Sequence, residues 1–168
     1  MHYKYCPECG MKLIGKIAGD DGEVPYCQRC ESYWFDTFPS CSIVMVVNEF
    51  HEVVLLSQKY LSDKYKTFVS GYITPGESAE ESAFREVHEE IGVTLERLEP
   101  AGTFWFDLKG ILMHGFIGYA KKCEFTLSSE VDKAEWVPIP KIWNQIFPES
   151  PGNTMYPLIR KYLGQFEK

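Results

Sequence analysis

The sequence predicts an α/β fold, a mixed α+β sandwich, preceded by a four-cysteine zinc ribbon at the N-terminus. Three observations support it: two Cys-x2-Cys pairs near the N-terminus, several apolar runs of strand length, and one helix with separate apolar and acidic faces. Strands interleaved with helices are typical of layered folds of this kind. The 168 residues suffice for one domain and a small appendage. We place the ribbon at residues 1–36 and the main domain at 37–168.

The N-terminal segment carries the cysteine pairs. Cys6 and Cys9 form one pair and Cys27 and Cys30 a second, with 17 residues between them. This spacing predicts one zinc ion held by all four thiolates. Four thiolates complete a tetrahedral shell and leave no position for water, so the predicted role of the zinc is structural. Two redox-active pairs or disulfides are the alternative.

The main domain alternates strand-like and helix-like segments. Continuous apolar runs predict buried strands, and segments with helical spacing of apolar residues predict helices. The predicted strands cover residues 41–47, 52–58, 66–73, 98–106, 110–122 and 134–139. The predicted helices cover residues 78–92, 140–147 and 155–166.

The first of these helices has clear end signals. Ser78 and Glu81 match a capping box, and Gly92 stands where a helix stop is expected. Its apolar stripe consists of Ala83, Phe84, Val87 and Ile91. One side of the helix is therefore predicted to face a core.

A second face of this helix is crowded with carboxylates. Glu86, Glu89 and Glu90 fall within an arc of about 100° on a helix. Like charges at this spacing destabilise a helix, and a divalent cation would remove that cost. Mg²⁺ accepts carboxylate ligands and also binds substrate phosphates. The alternative is an ordinary solvated acidic face.

The wider spacing around the glutamates is more specific. Residues 71–93 read GYITPGESAEESAFREVHEEIGV, and this stretch resembles the Nudix box of the Nudix hydrolases at every fixed position. The resemblance implies a mixed central sheet with helices on both sides. It also implies hydrolysis of a nucleoside diphosphate linked to another group, with Mg²⁺ or Mn²⁺ as the catalytic cofactor.

The resemblance carries roles onto individual residues. It implies that Gly71 permits the turn that brings backbone toward the metal, and that Glu77 braces the loop to the helix. Arg85 is expected to orient a catalytic glutamate. The implied catalytic residues are Arg85, Glu86, Glu89, Glu90 and Glu130, and the implied Mg²⁺ or Mn²⁺ site consists of Gly71, Glu86, Glu89, Glu90 and Glu130.

The order of the parts resembles one branch of the family, the zinc-containing NAD(H) pyrophosphatases. The resemblance extends from Cys6 to about Leu163, and this chain is expected to lack their additional N-terminal domain. Their Ser-Gln-Pro-Trp marker for NADH is altered here to Gly-Thr-Phe-Trp, at residues 102–105. NADH or a related dinucleotide is the expected substrate. Another nucleotide such as ADP-ribose is the alternative, followed by an inactive zinc-ribbon binding module.

Several residues outside the box are candidates for the remaining contacts. Glu130 aligns with a distant family glutamate, and an ordinary loop acid is the alternative. Tyr72, Trp105 and Phe35 are candidate walls of a base pocket, and plain structural aromatics are the alternative. Glu89, Glu90 and Glu130 all remain candidates for the general base.

Charge and hydropathy restrict the other partners. The net charge of −7 argues against broad nucleic-acid binding. No apolar run reaches the length of a membrane helix, and the N-terminus lacks the apolar centre of a signal peptide. We therefore expect a cytoplasmic protein with a small-molecule nucleotide substrate and no membrane partner, and leave a homodimer open.

Overall fold

The computed structural model of the chain describes residues 3–166. It divides into two compact units, Met1–Phe38 and Pro39–Lys168. The domain boundary between residues 36 and 37 stays a prediction.

The first unit is a small antiparallel sheet. Its strands are β1 (Ile14–Ile17), β2 (Glu23–Cys27) and β3 (Ser32–Tyr33), in the order β1-β2-β3. A 3₁₀ turn at Gly19–Asp21 connects the first two strands. Its buried cluster is small and consists of Cys6, Leu13 and Cys27. A cluster of this size supplies little hydrophobic stabilisation.

The second unit is built on a six-stranded sheet. Its strands are β4 (Ser40–Val47), β5 (Glu52–Ser57), β6 (Val69–Tyr72), β7 (Arg97–Phe106), β8 (Ile111–Tyr119) and β9 (Lys133–Pro138). The main order is β7-β8-β4-β5-β9, and β6 also pairs with β4. β4 and β8 run parallel, whereas the other pairs are antiparallel. The mixed sheet is confirmed, and all six predicted strands are present, with β6 and β8 shorter than expected.

Helix α1 (Ala79–Ile91) covers one face of this sheet. Ser78 and Glu81 form the predicted capping box, and Gly92 ends the helix in the left-handed conformation at φ 70°. Val87 and Ile91 of α1 are buried in one core with β4 and β5 side chains. Full burial of a side chain of this size contributes about 1.5–3 kcal/mol.

The predicted apolar stripe of α1 needs one correction. Phe84 is 43% exposed and does not belong to the core. Ser82 is buried instead, and its hydroxyl lies 3.0 Å from that of Ser42 on β4. The small side chain of Ser82 lets the helix approach the sheet closely. A side chain as large as phenylalanine at this position would prevent that approach.

Helix α2 (Met155–Leu163) covers the opposite face. Leu158 and Ile159 pack there with the β4 side chains Ile43 and Met45. The β4 residues between them, such as Val44, face α1, as the two-residue period of a strand requires. The prediction of helices on both faces is confirmed.

The predicted helix over residues 140–147 is wrong. Only a 3₁₀ turn forms at Ile139–Lys141. The backbone N–H of Lys66 donates to the Gln145 carbonyl at 2.8 Å, and Lys66 and Ile146 form a parallel bridge. Ile142 and Ile146 are buried. Successive turns therefore bury the apolar residues whose spacing predicted a helix. Between residues 3 and 166, no helix combines the length and the apolarity that a membrane span requires.

Candidate active site

The site forms where β6 leads through a short loop into α1. Gly71 lies in β6, paired with Ser42 of β4. A Cβ added to Gly71 would lie 2.0 Å from the carboxylate carbon of Glu86. The predicted reason for this glycine was a turn, whereas the structure gives a different one, since the close approach of the Glu86 carboxylate leaves no room for a side chain.

Glu77 and Arg85 hold the loop to the helix. Arg85 Nε donates to Glu77 Oε1 at 2.6 Å, and Arg85 Nη2 donates to Glu77 Oε2 at 2.9 Å. The backbone N–H and the hydroxyl of Thr74 both donate to Glu77 Oε2, each at 3.0 Å. The Arg85 hydrogen bond is the largest of the effects that lower the pKa of Glu77 to about 2. Glu77 therefore bridges the loop and the helix.

The same arginine contacts two of the predicted ligands. Arg85 Nη1 donates to Glu86 Oε1 at 2.7 Å and to Glu89 Oε2 at 3.0 Å. Arg85 Nη2 also donates to the Tyr72 carbonyl at 3.1 Å. Arg85 thus orients the two carboxylates and ties them to the end of β6.

Glu90 has the most unusual environment. It is only 5% exposed, and its Oε2 is buried without a hydrogen-bond partner among the described residues. Burial, followed by the charges of Glu86 and Glu130, raises the pKa of Glu90 to about 8, and a hydrogen bond from Gln58 acts in the opposite direction. Burial also raises the pKa of Glu86. Carboxylates in such surroundings are stabilised by a nearby cation.

The chemistry of these donors suits a divalent cation. The donor set is composed of carboxylate oxygens, which suit the hard ions Mg²⁺ and Mn²⁺. The orphaned Oε2 of Glu90 supplies an acceptor that no described protein group uses. Glu86, Glu89 and Glu90 would hold the ion from one face of α1.

Glu130 lies on a turn that is bonded to this part of α1. The backbone N–H of Ser128 donates to the Glu90 carbonyl at 3.0 Å, and the backbone N–H of Glu130 lies 3.3 Å from Ser128 Oγ. The charge of Glu130 contributes to the raised pKa of Glu90. The structure therefore brings the distant Glu130 to the same region as the box glutamates.

Sequence reasoning missed Gln58 and Asp132. Gln58 is 3% exposed and follows β5 directly. Asp132 Oδ2 accepts from the backbone N–H of Lys59 at 2.7 Å, so it fixes the Glu130 turn to the end of β5. The available signal was a glutamine that continues the alternation of a buried strand, on the same face as Val54 and Leu56.

The candidate pocket aromatics are all partly exposed. Tyr72 is 56% exposed and Trp105 is 45% exposed. Trp105 also lines a cleft of about 360 Å³ together with Thr103, Tyr156 and Arg160. Phe35 is 51% exposed and belongs to the first unit, so its part in a base pocket stays a prediction.

The predicted zinc ligands converge within the first unit. The sulfur atoms of Cys6, Cys9, Cys27 and Cys30 all lie within 4.8 Å of one another. The distance is 3.9 Å between the sulfurs of Cys6 and Cys30 and 3.5 Å between those of Cys9 and Cys27. A tetrahedral zinc–thiolate shell requires about 3.8 Å between sulfurs. All four are free cysteines, and the cluster fits a zinc ion.

One of these thiols accepts a backbone hydrogen bond. The backbone N–H of Cys30 donates to the Cys27 sulfur at 3.4 Å. This hydrogen bond is the largest of the effects that lower the pKa of Cys27 to about 7, against the opposing effect of burial. A lowered thiol pKa favours the thiolate, which is the form that binds zinc.

Comparison with known proteins agrees with the fold and the box. The NUDIX domain description matches residues 37–159, which is most of the chain. The chain therefore belongs to the Nudix family of hydrolases.

More particular relatives share the name NAD-capped RNA hydrolase NudC. The chain is 26% identical to the Pseudomonas fluorescens protein over 135 residues, which cover 80% of this chain and 48% of that protein. It is 28% identical to a Pseudomonas aeruginosa protein over 136 residues, with the same two coverages. The chain thus spans about half the length of the curated relatives it matches.

Solved structures support the fold. A NUDIX hydrolase from Nitrosomonas europaea superposes with a TM-score of 0.71 at 18% identity, covering 98% of this chain and 93% of that one. The NUDIX domain of Shewanella oneidensis NrtR, solved with ADP ribose, gives 0.65 at 15% identity, covering 84% and 94%. At such identities the likeness concerns the fold alone.

Proposed function

We propose that this enzyme hydrolyses the pyrophosphate bond of a nucleoside diphosphate derivative, with NADH or a related dinucleotide as the substrate. The observation that carries the proposal is the carboxylate cluster on α1, in which Glu90 keeps a buried oxygen without a partner. A diphosphate-binding cation would complete that cluster. Glu86, Glu89 and Glu90 are the proposed ligands, with Glu130 and the backbone at Gly71 next to them.

The chain's own residues have distinct roles in this mechanism. When bound, the cation supplies Lewis-acid chemistry toward the diphosphate. Arg85 fixes the carboxylates of Glu86 and Glu89. Glu89 is the proposed proton acceptor at Oε1, because Arg85 engages its Oε2 and its side chain is 58% exposed. Water attacks phosphorus as its proton passes to Glu89, and the phosphorus–oxygen bond to the leaving phosphate breaks.

Two aromatic side chains support a nucleotide substrate. Tyr72 pairs with Cys41, Cys41 with Met113, and Met113 with Phe104, the neighbour of Trp105. Tyr72 and Trp105 therefore lie toward the same end of the sheet, on opposite faces, because Tyr72 shares its face with Phe104 and successive residues of β7 alternate. A base that stacks on such a ring gains about 1–3 kcal/mol. The name NAD-capped RNA hydrolase, carried by the relatives, supports the NAD moiety as the recognised group and adds NAD-capped RNA as a candidate substrate.

ADP-ribose is the second candidate. The segment Gly-Thr-Phe-Trp at residues 102–105 favours ADP-ribose. It replaces the Ser-Gln-Pro-Trp marker, and a pocket without those polar groups discriminates less strongly against substrates other than NADH. The NrtR domain of the same fold was solved with ADP ribose, which supports this alternative at the level of the ligand class.

A nucleotide panel tests the proposal. We expect NADH to be cleaved to two mononucleotides with added Mg²⁺ or Mn²⁺, with weak preference over NAD⁺, ADP-ribose and FAD. Comparison of kcat/KM with identified products gives the answer. A preference for NADH above about 100-fold would contradict the expected loss of discrimination. Absence of cleavage of all four would exclude the dinucleotide class.

A further inference from the structure

Gln58 is a buried glutamine that lies outside the Nudix box. Only 3% of its surface is exposed. Its backbone carbonyl accepts from the N–H groups of Leu61 at 2.9 Å and Ser62 at 3.1 Å, so its main chain is held in a turn. A buried side-chain amide is costly unless its donors find partners. Its surroundings therefore indicate what the amide does.

Strand geometry gives the direction of the side chain. Val54 and Leu56 of β5 belong to the core that α1 covers. Because side chains alternate along a strand, Gln58 continues on the face that Val54 and Leu56 share. Val87 and Ile91 of α1 pack in that same core, and Glu90 is adjacent to Ile91. Gln58 thus faces the helical turn that carries Glu90.

Backbone hydrogen bonds connect the end of β5, which precedes Gln58, to the end of α1, which carries Glu90. The N–H of Ser128 donates to the Glu90 carbonyl at 3.0 Å, and the N–H of Asp132 donates to the Ser57 carbonyl at 3.0 Å. One short segment, residues 128–132, therefore joins the end of α1 to the end of β5. Main-chain bonds rather than flexible side chains therefore link the strand end that precedes Gln58 to the helix end that carries Glu90.

We infer that Gln58 is a positioning residue for Glu90, whose amide N–H donates to one carboxylate oxygen and leaves Oε2 directed to the metal site. The inference rests on the proposed function of Glu90 as a metal ligand. Oε2 of Glu90 is the buried oxygen without a described partner. The amide N–H that donates to Glu90 cannot itself ligate a cation, so through this hydrogen bond Gln58 acts on the metal site by way of Glu90. Hydrogen-bond partners of this kind orient metal ligands in many proteins.

Mn²⁺ binding in the absence of substrate tests this role. Gln58→Met keeps a similar volume and removes the donor. We expect its Mn²⁺ dissociation constant, from the electron paramagnetic resonance signal of free Mn²⁺, to rise about 10- to 100-fold. The thermal midpoint in EDTA is expected to stay near that of the wild type. Gln58→Asn keeps an amide and should lose less affinity, and it replaces the Met variant in the test if that variant does not fold.

A double-mutant cycle separates positioning from an independent contact. Gln58→Met in a Glu90→Gln background should weaken Mn²⁺ binding no further than Glu90→Gln alone, because the effect passes through the Glu90 carboxylate. Additive losses would overturn the inference, as would unchanged affinity in Gln58→Met when Glu90→Gln loses affinity. Either result leaves the proposed function standing. Wild-type affinity in Glu90→Gln would instead overturn both.

Discussion

The carboxylate of Glu86 occupies the space that a side chain on Gly71 would need. A Cβ at Gly71 would lie 2.0 Å from Oε1 and 2.3 Å from Oε2 of Glu86. No rotation of a methyl group relieves such an overlap, so the carboxylate must move. The position of Glu86 and the identity of residue 71 are therefore coupled.

Gly71→Ala should impair metal-dependent turnover more than stability. The displaced Glu86 carboxylate is expected to lower kcat/KM by about 10- to 100-fold. Overpacking at such a site costs about 1–3 kcal/mol, which chemical denaturation measures.

Gly118→Ala is the matched control. The atoms nearest to its Cβ would belong to apolar side chains, Leu95 at 2.9 Å and Val44 at 3.0 Å. It should lose similar stability while retaining the metal requirement of the wild type. Equal loss of turnover in both variants would show that overpacking alone explains the Gly71 result.

Glu90→Gln should separate catalysis from folding. The change keeps the size of the side chain and removes a carboxyl group whose ionisation is disfavoured by burial and by the charges of Glu86 and Glu130. We expect kcat to fall by orders of magnitude, while the thermal midpoint in EDTA stays the same or rises. Glu96→Gln makes the same chemical change at an exposed residue and is the control. It should have the turnover and thermal midpoint of the wild type. Near-normal turnover of Glu90→Gln would exclude the proposed role.

The first unit should contain one zinc ion per chain. Elemental analysis of protein purified without added zinc is expected to give a ratio near one, since the sulfurs of Cys6, Cys9, Cys27 and Cys30 already lie within 4.8 Å of one another. Cys27→Ser should lower the ratio, whereas a change at the exposed Cys123 should not. A ratio near zero, with all four thiols reactive in the folded protein, would contradict this assignment.

Glu77 should contribute stability that is lost in acid. Its pKa is lowered from 4.5 to about 2, so the folded state favours the ionised carboxylate. This contribution is present above pH 4.5 and disappears as the pH falls through about 2. Glu77→Gln should therefore be less stable than the wild type at pH 7, and the difference should shrink between pH 4.5 and 2.

Urea unfolding at several pH values measures this difference. Glu80→Gln is the control, because Glu80 is exposed and its side chain forms no hydrogen bond or ion pair with any residue from 3 to 166. A stability difference between Glu77→Gln and the wild type that stays constant down to pH 2 would show that the ion pair with Arg85 is not its source.

Local signals predicted the elements that local interactions specify. Helix α1 begins and ends as expected, because Ser78, Glu81 and Gly92 act within a few residues of themselves. The helix expected at residues 140–147 fails for the opposite reason. Its backbone is recruited by Lys66, which is far away in sequence, and no local pattern contains that information.

In the candidate site, too, local spacing could be predicted from the sequence, whereas contacts between distant segments could not. The box glutamates and Arg85 were predictable because their spacing lies on a single helix. Gln58 was not, because its proximity to Glu90 depends on the 128–132 segment that joins β5 to α1. The close approach of Glu86 to Gly71 likewise depends on how α1 sits against β6.

The parallel pairing of β4 with β8 has a consequence for the order of events during synthesis. β4 ends at Val47, and its parallel partner begins at Ile111. The centre of the sheet therefore cannot close until Tyr119 has left the ribosome, whereas β5, β6 and α1 are made earlier. Contacts so distant in sequence form slowly, because the intervening chain must first be ordered. Until then one edge of the apolar β4 strand lacks its partner strand, and unpaired strand edges of this kind are prone to aggregation.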